Sequence, residues 1–113
     1  MLKSKEIKEY KEVLFKKQQG KCLLCLLDLD EDIQKNHLDH SHDLKGINAG
    51  KCRGLLCNLC NVLEGIIRHK FLRSGLASKG VDMHDWIRRC VTYTEQDHSE
   101  NRIHPMYLND LVK

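Results

Sequence analysis

Aromatic side chains are scarce in this 113-residue sequence: Trp86, Phe15, Phe71 and three tyrosines are the whole set. Aromatics are the usual large contributors to a core, and a chain of this length buries only a modest share of its surface. The sequence is therefore core-poor, and a metal or a dimer interface is the expected remedy. A charged-then-apolar leader is also missing, since the chain opens Met-Leu-Lys-Ser-Lys-Glu, and no apolar run reaches membrane-spanning length. These absences predict a cytoplasmic protein with no membrane partner. There is no internal repeat and no low-complexity tract, and the length fits one domain.

Cysteine, by contrast, is plentiful, with six residues. In a reducing compartment, paired CxxC motifs are more often metal ligands than disulfides. Cys22 and Cys25 form one such pair, and Cys57 and Cys60 the other. Four thiolates suit tetrahedral Zn2+, which has no redox chemistry of its own and prefers soft ligands. A closed four-cysteine site leaves no open position for water, so this zinc is structural and not the catalyst. It would pin residues 22–25 to a helix starting near residue 57. Cys52 and Cys90 fit neither pair and read as small buried hydrophobes.

The formal net charge of +3 is a weak signal, but its distribution is not even. Nine Lys and Arg lie between Lys45 and Arg89 against Glu64, Asp82 and Asp85, so that segment carries +6 and the remainder −3. A basic centre suits a phosphate backbone, although charge alone fits a solvated helical surface better.

Apolar periodicity predicts a helix over residues 5–19, with Ile7, Tyr10, Val13 and Leu14 on its inner face and Gly20 just past its end. A tight knuckle follows at Cys22-Leu-Leu-Cys25, then a polar, acidic loop over 28–36. Residues 37–42 read as a short extended piece, 43–50 as a loop, and 53–57 as a second short strand. A helix should run from about Asn58 to Arg73, apolar over more than a single stripe and so in need of cover on several sides. Asp82 can cap a third helix through about Glu95. Residues 1–104 form the domain, and 105–113 read as a tail.

Inside the gap between the cysteine pairs lies Leu38-Asp39-His40-Ser41-His42, and just after Cys60 come Asn61 and Glu64. Alternate strand residues share a face, so His40 and His42 point together, with Asp39 turned away unless the strand bends. Asn61 and Glu64 are three apart on a helix and share a face. Such a set suits phosphodiester hydrolysis. A neutral imidazole can deprotonate water, and a carboxylate with an amide oxygen makes a sparse oxygen site for Mg2+.

The residues that carry this reading resemble the phage recombination endonuclease VII family, within the HNH or ββα-metal nucleases. The resemblance rests on the two CxxC pairs, Leu-Asp-His-x-His at 38–42, Arg-Gly-Leu-Leu-Cys-Asn-x-Cys-Asn at 53–61, and Glu64. It continues through His69-Lys-Phe71, Arg73-Ser-Gly-Leu76 and Ile103-His-Pro105. It implies a mainly α fold with a small ββα-metal (HNH, His-Me finger) motif whose strands are short and bent, a four-cysteine zinc site, and an intertwined homodimer. It also implies cleavage of Holliday junctions and other branched double-stranded DNA. By that resemblance Asp39 and Asn61 hold the catalytic Mg2+ or Mn2+, His40 is the general base, and His42 and Glu64 support the phosphate and metal. Asp85 is a minor candidate carboxylate and His37 an outer group. If the gene is phage-borne, the compartment is the host-cell cytoplasm. Relatives of this kind continue into a further helical C-terminal region, whereas this sequence ends at Lys113. Phosphate contacts are expected from Arg53, Arg68, Lys70 and Arg73, with recognition of shape and not base sequence. The competing readings are a zinc-stabilised DNA-binding module without catalysis, a nicking endonuclease of broader specificity, and a redox-sensing cysteine protein.

Overall fold

A computed structural model describes residues 1–112. Four helices and two strands follow one another along the chain: α1 (Ser4–Lys17), β1 (His37–His40), β2 (Cys52–Leu56), α2 (Asn58–Arg73), α3 (Met83–Glu95) and the short α4 (Tyr107–Asp110). The protein is thus mixed helix with a small two-stranded sheet, and no helix among the described residues is long and apolar enough to cross a membrane. The chain divides into two compact units, Met1–Lys70 and a second beginning at Phe71.

In the first unit, α1 opens where the Lys3 N–H donates to the Glu6 carboxylate at 3.2 Å. Its inner face carries Leu14, buried, with Tyr10 and Phe15 against the same core. Val13, expected on that face, is instead 57% exposed, because it sits beside Leu14 on the turn and faces outward. The helix ends at Gln18, and the next residues, Gln19 and Gly20, both have positive φ. Gly20 is suited to its place: a Cβ there would meet the Phe15 ring at 3.3 Å in a left-handed conformation that side chains disfavour.

The core is as small as the composition predicts. It consists of Leu14, Cys22, Leu29, Leu55 and Leu56, with half-buried Leu38, Cys25, Cys57 and Cys60 around it. Strands β1 and β2 pair antiparallel, His37 opposite Leu56 and Leu38 opposite Leu55. Asp39 then pairs with Gly54 and His40 with Cys52, which leaves Arg53 unmatched in a β-bulge. Bulges re-aim a side chain, and this one governs the candidate site.

Two polar residues hold the edges of this sheet. The Gln18 side chain donates to the Leu55 carbonyl at 3.1 Å and accepts from the Leu55 N–H at 2.8 Å. Its amide thus stands in for a neighbouring strand and satisfies both backbone groups of a fully buried residue. Asn36 is buried at the end of the acidic loop, where a single 3-10 turn (Ile33–Lys35) precedes β1. Its side chain accepts from the Asp30 N–H and donates to the Asp30 and Ile33 carbonyls. Lys11 of α1 caps the same loop through the carbonyls of Gln34 and Asn36. The loop is polar as expected, yet it is folded by these contacts.

Gln18→Leu should therefore destabilise the first unit by about 1–3 kcal/mol, because it strands a buried N–H and C=O pair. A shift of the urea midpoint worth less than about 0.5 kcal/mol would show that the amide does not hold the edge.

In the second unit, Asp82 caps α3 as expected, its carboxylate accepting from the Asp85 N–H at 3.0 Å. Phe71 is buried there with its ring 6.0 Å from that of Trp86.

Candidate functional site

Two clusters of side chains lie in the first unit. The first is made of thiols. The knuckle is a tight hairpin in which the Cys22 N–H donates to the Leu27 carbonyl and the Leu26 N–H to the Cys22 carbonyl. Leu26 takes a positive φ of 65° to close it. The other pair straddles the start of α2: Cys57 precedes the helix, and its sulfur accepts from the Cys60 N–H at 3.4 Å. A sulfur in this position caps the helix and lies where the helix end favours negative charge.

The Sγ atoms of Cys22, Cys25, Cys57 and Cys60 all fall within 4.8 Å of one another, and those of Cys25 and Cys57 are 3.9 Å apart. Tetrahedral zinc with Zn–S bonds of about 2.3 Å requires sulfurs roughly 3.8 Å apart. The four cysteines thus have the donor chemistry and spacing of a zinc-type site. Burial acts to push the Cys22 thiol up, but backbone hydrogen bonds at Cys25, Cys57 and Leu24 outweigh it and bring the thiol down to about 6. Cys60 is pushed up to about 12, first by burial and then by hydrogen bonds shared with the other three thiols. Cys52 and Cys90 lie outside the cluster and are half-buried, not fully buried as expected.

The second cluster is charged. Asp39 of β1 receives Arg53 of β2 in a bidentate pair, Nε to Oδ2 at 2.6 Å and Nη2 to Oδ1 at 3.0 Å. The same Nη2 reaches Glu64 Oε1 of α2 at 3.3 Å. Arg68 approaches Glu64 from one helical turn further on, its Nε at 3.8 Å. That Nε is buried and has no hydrogen-bond partner among the described residues. Arg53 is held more firmly protonated than usual, chiefly by its hydrogen bond to Asp39.

The rings of His40 and His42 face each other with centroids 4.6 Å apart, although β1 ends at His40 and His42 lies just beyond it. Both rings are exposed, and neither makes a hydrogen bond among the described residues. The His42 imidazole is held below its ordinary range, first by loss of solvent and then by the charges of Arg68, His40 and Arg53, with Glu64 opposing. These surroundings favour the neutral ring.

Of the residues singled out from the sequence, Asp39 and Glu64 are joined through Arg53. Asn61 is half-buried on the first turn of α2 and makes no side-chain hydrogen bond among the described residues. His37 is half-buried opposite Leu56. Asp85 lies in the second unit and accepts from Arg88 Nη1 at 2.9 Å. Two of the four expected phosphate contacts, Arg53 and Arg68, are turned toward site carboxylates, while Lys70 and Arg73 are exposed. Nothing in the sequence paired Arg53 with Asp39, which stands 14 positions away, and only the bulge brings the two together.

A thiol cluster, a bulged antiparallel pair and a helix rising from the second cysteine pair define a small cysteine-stapled α+β domain. Residues 2–96 match the family model for recombination endonuclease VII. That match spans most of the chain, and the protein belongs to this family of endonucleases.

Proposed function

We propose that the protein is a structure-selective endodeoxyribonuclease that cuts branched DNA, such as Holliday junctions, by metal-dependent phosphodiester hydrolysis of the HNH type. The observation that carries this reading is the convergence of Asp39 and Glu64 on one guanidinium nitrogen, in a unit that also presents the exposed ring pair of His40 and His42. Carboxylates drawn to one point suit a hard cation such as Mg2+ or Mn2+, which is held by few protein oxygens. Asp39 and Asn61 would hold that cation, and Glu64, three residues beyond Asn61 on α2, would support it. When bound, the cation supplies neutralisation of charge developing on the phosphate.

His40 takes the proton from the attacking water at its exposed imidazole, acting as general base. His42, whose surroundings favour the neutral ring, would support the phosphate through hydrogen bonding. The four cysteines hold one structural Zn2+ per chain and keep the start of α2 in register with β1. Residues 1–104 act as one nuclease and dimerisation domain, and 105–113 as a tail.

A homodimer is part of this proposal. Along α2, Leu59 is 79% exposed, and Val62, Leu63, Ile66, Ile67 and Leu72 are 45–57% exposed. A helix with so much apolar surface uncovered is suited to a partner helix, and two symmetric sites suit two opposed strands.

One observation favours a second reading. Arg53 already engages both oxygens of Asp39, as it could in a zinc-stabilised DNA-binding module without catalysis. Incubating the protein with a four-way junction and with linear duplex, in Mg2+ and in EDTA, separates the two. We expect paired nicks in the junction in Mg2+, none in EDTA, and far less cutting of the duplex. An intact junction in Mg2+ would leave only the binder.

A further inference from the structure

The guanidinium of Arg53 occupies Asp39, one of the two residues proposed to hold the cation. It is bidentate on Asp39 and also contacts Glu64, and its side chain keeps 40% exposure, whereas that of Asp39 retains only 11%. Two carboxylates aimed at one point repel unless a cation lies between them. Arg53 supplies that cation without any metal.

Three further observations point to a second arrangement of the site. A cavity of about 220 Å3 is lined by Asp39, Arg53 and Glu64 together with Leu23, Leu24, Gly54 and Leu56. This exceeds many times the roughly 10–15 Å3 that one water requires, so a partly hydrated divalent ion fits. The buried Nε of Arg68, 3.8 Å from Glu64 and without a hydrogen bond, awaits an acceptor. Glu64 already has this second cationic neighbour and keeps it when Arg53 withdraws, so the exchange leaves no carboxylate unpaired. Finally, the bulge at Asp39/His40 places Arg53 on an unpaired backbone position, where its side chain can swing outward without breaking the β1–β2 ladder.

We propose that Arg53 is a resident counter-ion: it occupies Asp39 and Glu64 when the divalent cation is absent and turns to the DNA phosphate when the cation binds. The inference rests on the reading that Asp39 is a ligand of that cation. It makes metal and DNA binding mutually reinforcing, since each draws on the state the other favours, and such coupling is reciprocal. It also accounts for an Asp39 whose two oxygens are both paired in an endonuclease.

The test is Mn2+ binding to the zinc-loaded full chain without DNA, read from the EPR signal of free Mn2+. Arg53→Gln removes the competitor and should tighten Mn2+ roughly 5- to 30-fold, the range that one or two kcal/mol of lost ion pairing implies. Arg53→Lys keeps a charge without the planar fork and should fall between the two. Asp39→Asn should abolish binding. Zinc content and circular dichroism establish that each variant is folded, and the lysine variant serves if the glutamine variant is not. If both Arg53 variants bind Mn2+ no more tightly than the native chain, Arg53 positions Asp39 and does not compete for it, and the inference is overturned while the metal reading stands. If Asp39→Asn binds Mn2+ like the native chain, the metal reading itself fails.

Discussion

Cys57→Ser is expected to unfold the first unit. Cys57 belongs to the four-thiol cluster, and its sulfur also caps α2. The unit has few buried apolar residues of its own, with Leu55 and Cys22 the only large side chains fully buried among those described. Structural zinc in finger peptides contributes an apparent ~10–16 kcal/mol, as much as the whole stability of an ordinary domain. Loss of one ligand should therefore lower zinc content well below one ion per chain and abolish the cooperative melt of the helical signal. Cys90→Ser serves as the control. It alters a half-buried thiol outside the cluster, and its cost should stay under about 1 kcal/mol. A Cys57→Ser protein that keeps its zinc and melts like the native chain would remove the scaffold from the account.

His40→Ala should reduce junction cleavage by roughly 10²–10⁴-fold, the usual contribution of a positioned general base. Junction binding should be spared, because the His40 ring is exposed and makes no hydrogen bond that supports the fold. The clean measurement is single-turnover cleavage beside a gel-shift titration of the same junction. If cutting persists at the native rate, the base lies elsewhere, and His42 is the next candidate. If binding is lost together with cutting, His40 contacts DNA and its role is not confined to proton transfer.

The parts of this protein that were legible in the sequence are those fixed by short-range spacing. Both CxxC pairs, the span of α2 and the Asp82 cap of α3 all depend on residues within a few positions of one another, and all are found where they were expected. What escaped the sequence depends on folding at a distance. Gln18 reads as an ordinary helix-end residue, yet it serves as the missing neighbour of β2 across 37 positions. Asn36 looks like loop polarity, but it is buried and organises the turn before β1. The alternation rule turns Asp39 away from the histidines, and no periodicity announces the one-residue bulge that leaves Arg53 unmatched next to the partner of Asp39. Arg53 itself reads from the sequence as a phosphate contact. A basic residue carries no mark of whether its acid partner lies in the same protein or on its ligand.

Helix α2 also acts as a screw thread. It carries Cys60, Asn61, Glu64 and Arg68 on a single unbroken run of turns. Each residue advances the helix by about 100° and 1.5 Å. One residue inserted or deleted between Cys60 and Glu64 would rotate Glu64 and Arg68 out of phase with the cysteines, even with every functional side chain retained. The thiol cluster thus sets the angular zero from which the carboxylate on the next turn is aimed, and the count of residues between them is as much a part of the site as their identity.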